Sequence, residues 1–243
     1  MVYVTDGSFE GILTAVFEAF RNREDPEEIT LGGDFQLSMT AGIREISTDT
    51  EKSDRVWRGV ESKISKESPE NLYMAYLSEH PRVGLYIYRY IKLGLNIGRK
   101  VEGYLQHPDV HAIYDLSRRV GSEAHLFLGI LRFKKLRNGV FYACYEPDNN
   151  ITQLITDHFA SRLSDQAWII HDRKRDILAL FNGEEVIFTS GFPGIDHEDC
   201  EGEYEELWKR YFSAIAIESR KNPRLQRSFM PRRYWRHLPE KQL

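Results

Sequence analysis

The sequence predicts an α+β fold, with a mainly helical N-terminal lobe and a five-stranded antiparallel sheet flanked by helices in the C-terminal lobe. Three observations carry this. Apolar stripes of helical period dominate the first hundred residues, five short β-branched and aromatic runs cluster between 130 and 189, and two Asn-Gly pairs join neighbouring runs.

A short strand over Val2 to Val4 leads into a first helix, because Ser8 stands at an N-cap position and Phe9, Ile12, Leu13, Val16, Phe17 and Phe20 share one face. Ser68-Pro69-Glu70 starts a second helix with proline at its first position, and Leu72, Tyr73, Tyr76 and Leu77 are its apolar face before Pro81. Helix continues from Val83 to Leu105, with Gly94 and Gly98 small enough to admit a close neighbour. Another runs from Asp109 to about Leu126. Residues 103 to 108 are the expected lobe boundary, giving lobes of 1–105 and 106–243.

After Gly129 the period changes. Ile130 to Leu136 and Val140 to Tyr145 are β-prone runs joined through Asn138-Gly139, and Ile177 to Phe181 joins Val186 to Thr189 through Asn182-Gly183. Trp168 to His171 is the fifth strand. A helix from about Ile151 to Leu163 interrupts the sheet, and a second follows it with Tyr204, Leu207, Trp208, Tyr211, Phe212 and Ile215 on one face. Pro223 and Pro231 cut the remaining tail into short pieces.

A chain of 243 residues with two cysteines, Cys144 and Cys200, outside any C-x-x-C pair, indicates neither a disulfide framework nor a thiolate metal site. No metal or cofactor is expected. No apolar run reaches the roughly 18 residues needed to span a bilayer, and the N-terminus has no signal-peptide pattern, so a cytoplasmic protein away from membranes is expected. Gly-rich phosphate loops, H-E-x-x-H and G-x-S-x-G are all missing, which leaves nucleotide hydrolysis, zinc proteolysis and serine hydrolysis without support.

The net charge of −4 conceals a segregation: residues 184–206 carry nine acids and no Lys or Arg, whereas 209–238 carry nine Lys and Arg against Glu218 alone. Such a tail suits an anionic partner, nucleic acid being the commonest, or the acidic segments of its own fold. Arg220-Lys221-Asn222-Pro223-Arg224-Leu225-Gln226-Arg227 and Met230-Pro231-Arg232-Arg233-Tyr234-Trp235 interleave guanidinium groups with aromatics. Guanidinium groups fork onto phosphates and aromatic faces stack on bases, although Tyr234 and Trp235 also suit anchoring of the tail to its own core. The tail is expected to fold back so that Arg220, Asn222, Gln226 and Arg232 converge on the sheet lobe.

Other polar residues are candidates by position. On the helix from Ile151, His158 and Arg162 share the stripe of Ile151, Leu154 and Ile155 and are expected to face inward or line a cleft. Glu123 and His125 stand before the first strand. They diverge by about 200° if helical and share a face if extended. His171 and Asp172 open the basic turn Arg173-Lys174-Arg175, which can touch phosphate or be solvated, and His197-Glu198-Asp199-Cys200 reads as polar loop.

Taken together, Tyr3-x-x-Asp6-Gly7-Ser8-Phe9-Glu10-Gly11, Glu123-x-His125-x-Phe127-x-Gly129-x-x-Arg132-Phe133, His158-Phe159-x-x-Arg162, Trp168-Ile169-Ile170-x-Asp172-x-x-Arg175 and the tail motifs resemble a bacterial and archaeal family of probable DNA metabolism proteins. The family is usually encoded beside a putative DNA-repair radical-SAM protein, and a similar domain is found fused to uracil-DNA-glycosylase-like domains. Leu126 stands where a basic residue often follows the histidine. The resemblance implies a DNA-binding accessory in repair or base modification. Arg132, Arg162, Arg175, Arg220, Asn222, Gln226, Arg232, Arg233, Tyr234 and Trp235 would form the nucleic-acid contacts, with DNA and a radical-SAM protein as partners. Two alternatives stay open. One is an enzyme on DNA or a nucleobase, with Glu123 or Asp172 as base and His125 or His158 as acid; the other is a scaffold that binds the radical-SAM protein without touching DNA.

Overall fold

The computed structural model describes residues 1–31, 42–191 and 230–241. The chain divides into two compact units, Met1–Gly121 and Ser122–Leu243.

In the first unit, β1 (Val2–Val4) leads into α1 (Phe9–Asn22), then β2 (Glu28–Thr30), β3 (Ile43–Glu45), α2 (Thr50–Lys63), α3 (Ser68–Tyr76) and α4 (Val83–Ile97). A 3-10 turn over Gly98–Gly103 precedes α5 (Pro108–Ile130), whose residues to Gly121 belong here. The Ser8 hydroxyl accepts the Gly11 N–H at 2.9 Å and so caps α1. Tyr3, Ile12, Ile29, Val60, Ile87 and Tyr90 are among the buried side chains of one continuous core.

β1 lies between β2 and β3, parallel to both. Sequence reading finds only the first of these strands. Three residues are too few to show an alternation in β2 or β3, and α2 buries only Ser53 and Val60, too thin a stripe to reveal a helix. Gly84 explains how α4 meets β2: a Cβ there would stand 2.6 Å from the Ile29 carbonyl oxygen.

The second unit holds the end of α5, then β4 (Lys134–Lys135), β5 (Phe141–Tyr145), α6 (Thr152–Arg162), β6 (Trp168–Asp172), β7 (Ile177–Phe181) and β8 (Val186–Ser190), with 3-10 turns over Arg232–His237 and Pro239–Lys241. The α+β class and the five strands agree with the sequence, but the sheet is mixed. Its order is β4-β5-β6-β7-β8, and β5 pairs with β6 in parallel, Cys144 opposite His171, while the other three pairs are antiparallel. The reason is α6. Eleven residues of helix rise about 16 Å, matching a five-residue strand, so the chain returns to its starting end before β6 begins. A crossover of that kind makes the next strand parallel.

Both Asn-Gly turns form as expected, with Gly139 at φ 85° and Gly183 at φ 101°, conformations that favour glycine. Phe133, Phe159, Trp168 and Phe181 pack in edge and stacked contacts on one face of the sheet. Among the described residues no helix is long and apolar enough to cross a membrane. The helix expected over 204–215, the loop 197–200 and the tail residues Arg220, Asn222 and Gln226 lie outside the described residues.

Candidate functional site

The segment Pro147-Asp148-Asn149, which follows β5, is gripped from two sides by residues far away in sequence. From the end of α5, Glu123 reaches its N–H groups: the backbone amides of Asp148 and Asn149 each donate to the carboxylate at 2.8 Å, and the Asn149 side-chain amide donates at 2.6 Å. From the turn after β6, Arg175 reaches its carbonyls, donating to Pro147 O at 3.2 Å and to Asp148 O at 2.7 Å. Lys174 Nζ donates to the same Asp148 oxygen at 2.9 Å.

Each of these groups is itself held. The Arg175 guanidinium pairs with Asp172 at 2.9 Å, and the Lys174 and Arg175 amides donate to the other Asp172 oxygen at 3.0 and 3.3 Å. Asp172 is fully buried, and burial pushes its carboxyl up despite the opposing pull of Arg175. On the opposite side, the Tyr234 hydroxyl donates to Glu123 and accepts from Arg233 at 3.0 Å, while Arg233 pairs with Asp148 at 2.7 Å. Tyr234 packs edge-on against Phe127, which packs against Tyr145. Burial, followed by the adjoining Glu123 carboxylate, pushes the Tyr234 phenol well up.

Five candidates from three parts of the sequence thus belong to one network: Glu123, Arg175 and Arg233 bond the three-residue segment directly, and Asp172 and Tyr234 hold those residues in turn. The chemistry of the convergence is saturation. A carboxylate has about four acceptor positions, and Glu123 takes four donors, which leaves no lone pair directed at a substrate. Asp172 is committed in the same way to Arg175 and its turn.

The remaining candidates lie elsewhere. α5 is helical through residue 130, so Glu123 is buried whereas His125 is exposed. His158 and Arg162 are also exposed, contrary to expectation. The buried arc of α6 is Thr152, Ile155, Thr156 and Phe159, and at about 100° per residue its centre falls nearly a third of a turn from His158. Leu154 and Ile151 had suggested the wrong edge. Among the described residues no hydrogen bond joins either histidine to Glu123 or Asp172. Arg132 donates to Gly129 O at 2.9 Å and to Leu131 O at 3.4 Å at the end of α5.

Arg173 and Lys174 in the turn after β6, and Arg232, Arg233 and Arg236 in the C-terminal 3-10 turn, are all exposed; of these, Lys174 and Arg233 bond Asp148 and Arg236 pairs with Glu146. Trp235 is half-buried, donating Nε1–H to Met230 O at 2.9 Å under the guanidinium of Arg232, 5.7 Å from the ring centre. Of the two tail aromatics, Tyr234 is therefore the buried anchor. Sequence reading missed the segment that receives these contacts, and also Cys144, Glu146 and His237 beside it. The available signal was Pro147-Asp148-Asn149-Asn150, a turn-forming run between strand and helix whose amides need acceptors.

The family described as Domain of unknown function (DUF4130) matches residues 81–240, about two thirds of the chain and the whole of this network. No curated protein matches the chain.

Proposed function

Because the chain belongs to the DUF4130 family, a family whose description carries no activity, its own residues must supply a role, and we propose that it is a DNA-binding accessory of repair or base modification. The observation that carries this reading is the set of exposed cations of the second unit: Arg173 and Lys174 in the turn after β6, and Arg232, Arg233 and Arg236 in the C-terminal 3-10 turn, the two turns joined through the clamped segment by Lys174 and Arg233 on Asp148. Among the described residues, Asp148 and Glu146 neutralise part of that charge through Arg233 and Arg236, and Arg173, Lys174 and Arg232 add cations for phosphate. Fixing the surface matters, because an array held by Glu123, Arg175 and Tyr234 presents its guanidinium groups in one arrangement, which a loose basic tail does not. The resemblance in the sequence supports a radical-SAM repair-type protein as partner. The saturated carboxylates favour this reading over acid–base catalysis.

The test is fluorescence anisotropy with labelled duplex and single-stranded oligonucleotides across a salt series. Neutralising about five phosphates gives a slope of log K against log salt near −4.5 for duplex. A flat response, or no binding at low salt, removes the DNA-binding reading and leaves the scaffold.

A further inference from the structure

The 3-10 turn Arg232–His237 has about three residues per turn, so side chains three apart eclipse and its residues fall into three pairs, each on its own face. Tyr234 and His237 form the first pair and turn into the protein, the hydroxyl onto Glu123 and the imidazole Nδ1 3.6 Å from Cys144 Sγ. Arg233 and Arg236 form the second, and each is matched to an acid, Asp148 at 2.7 Å and Glu146. The third pair, Arg232 and Trp235, has no such task. Arg232 is exposed and meets no carboxylate among the described residues; its guanidinium lies over the indole, 5.7 Å from the ring centre. The ring itself is fixed, since Nε1 donates to Met230 O at 2.9 Å, and it is only half-buried. Lys241 Nζ also stands over it, 5.0 Å from the centre.

Resting on the DNA-binding reading above, we propose that the Arg232–Trp235 face is a stacking site for an unpaired nucleotide, which makes single-stranded DNA the form that this chain binds. A fixed indole edged by a guanidinium and an ammonium group supplies what such a nucleotide needs: the ring takes the base face and the cations take the neighbouring phosphates. A base stacked on indole is worth more than an exposed guanidinium over the same ring, so the base occupies the ring and the long Arg232 side chain swings to phosphate. Duplex DNA keeps its base faces stacked on one another. Six residues of 3-10 turn rise only about 12 Å, too short for the helices and ribbons that read a groove. A protein interface depletes charge around its buried aromatic groups, whereas this turn carries Arg232, Arg233 and Arg236 beside Trp235.

The full chain is titrated by anisotropy with a labelled oligothymidylate and with a blunt duplex of the same length. Charge alone favours the duplex, whose phosphates are denser, so tighter binding of the single strand is the expected sign of stacking. Single strands carrying iododeoxyuridine are then irradiated on the wild-type chain, and the cross-linked peptide, identified by mass spectrometry, should contain Trp235. Trp235→Leu weakens single-strand binding about ten-fold, the value of one stacked base. Trp235→Phe keeps a stacking ring without the Nε1 donor and stays within about two-fold of wild type. Equal loss in both variants overturns stacking in favour of an anchoring role. DNA binding in which the duplex is equal or tighter, or cross-links that leave Trp235 unmodified, overturn the single-strand site and leave the DNA-binding reading standing; no binding of either form removes both.

Discussion

The Tyr234 hydroxyl donates to the carboxylate of Glu123, joining residues 111 positions apart, and that carboxylate also holds the Asp148 and Asn149 amides. The tail residue and the strand-following segment therefore share one acceptor, and loss of either contact is felt by the other.

Tyr234→Phe keeps the ring against Phe127 and removes only the donor. A hydrogen bond to a buried charge contributes about 1.5–3 kcal/mol, so urea unfolding should show a loss of that size. Glu123→Gln should cost at least as much, because its NH₂ must face one of the existing donors. The double variant should show coupling of about 1 kcal/mol; strict additivity would mean that the two residues do not act as a unit.

Arg175→Met should destabilise by about 3–5 kcal/mol, since it leaves buried Asp172 without its counter-charge. Replacing a buried ion pair with apolar residues is often neutral. Here the double variant Asp172→Leu, Arg175→Met should not recover, because Arg175 also serves the Pro147 and Asp148 carbonyls. Recovery to wild-type unfolding free energy would show that the carbonyl contacts contribute nothing.

Gly84→Ala places a methyl group 2.6 Å from the Ile29 carbonyl, so α4 and β2 must separate. A cost of about 1–3 kcal/mol in chemical denaturation is expected. No change in the denaturation midpoint would show that this contact can open freely.

His237 gives stability an acid limb. Burial, and then neighbouring cations, push its pKa down to about 4, below the unfolded value, so its neutral form favours the fold. That contribution is complete above about pH 6.5 and is lost as pH falls through 4. Asp172, raised by burial, contributes in the opposite direction from its ordinary range upward. The difference between wild type and His237→Gln isolates the histidine: the variant's unfolding free energy should fall less steeply between pH 6.5 and 4. Identical slopes would place His237 in solvent-like surroundings.

Arg173→Gln with Arg232→Gln alters two exposed side chains and should change stability by no more than about 0.5 kcal/mol. If both contact phosphate, the salt slope of DNA binding becomes shallower by about 2. An unchanged slope would move the interface away from this surface.

Much of the second unit was legible because its signals are local. Asn138-Gly139 and Asn182-Gly183 require particular turns, and runs such as Trp168 to His171 have no reasonable helical alternative. What escaped was non-local. Parallel pairing of β5 with β6 depends on the length of α6 rather than on either strand's composition. The buried role of Glu123 depends on α5 being helical through 130 and on the Asp148 and Asn149 amides lying opposite it, and neither is written in the residues near Glu123. His158 was misread because Leu154 and Ile151 suggested a stripe centred on the wrong edge of α6, whereas Thr152 and Thr156, polar by name, are buried. Short strands such as Glu28–Thr30 carry too little pattern to be read at all.

The parallel crossover also sets an order of assembly. β6, β7 and β8 meet through turns of four residues, 173–176 and 182–185, so they can zip together as soon as those turns form. β5 can join β6 only after the 22 residues between them, α6 included, have been drawn into a closed loop, and that closure is the slower kind of step. The sheet therefore has a kinetic seam between Cys144 and His171. Amides of β7 should gain protection from hydrogen exchange early in refolding, while those of β5 wait for the crossover to close.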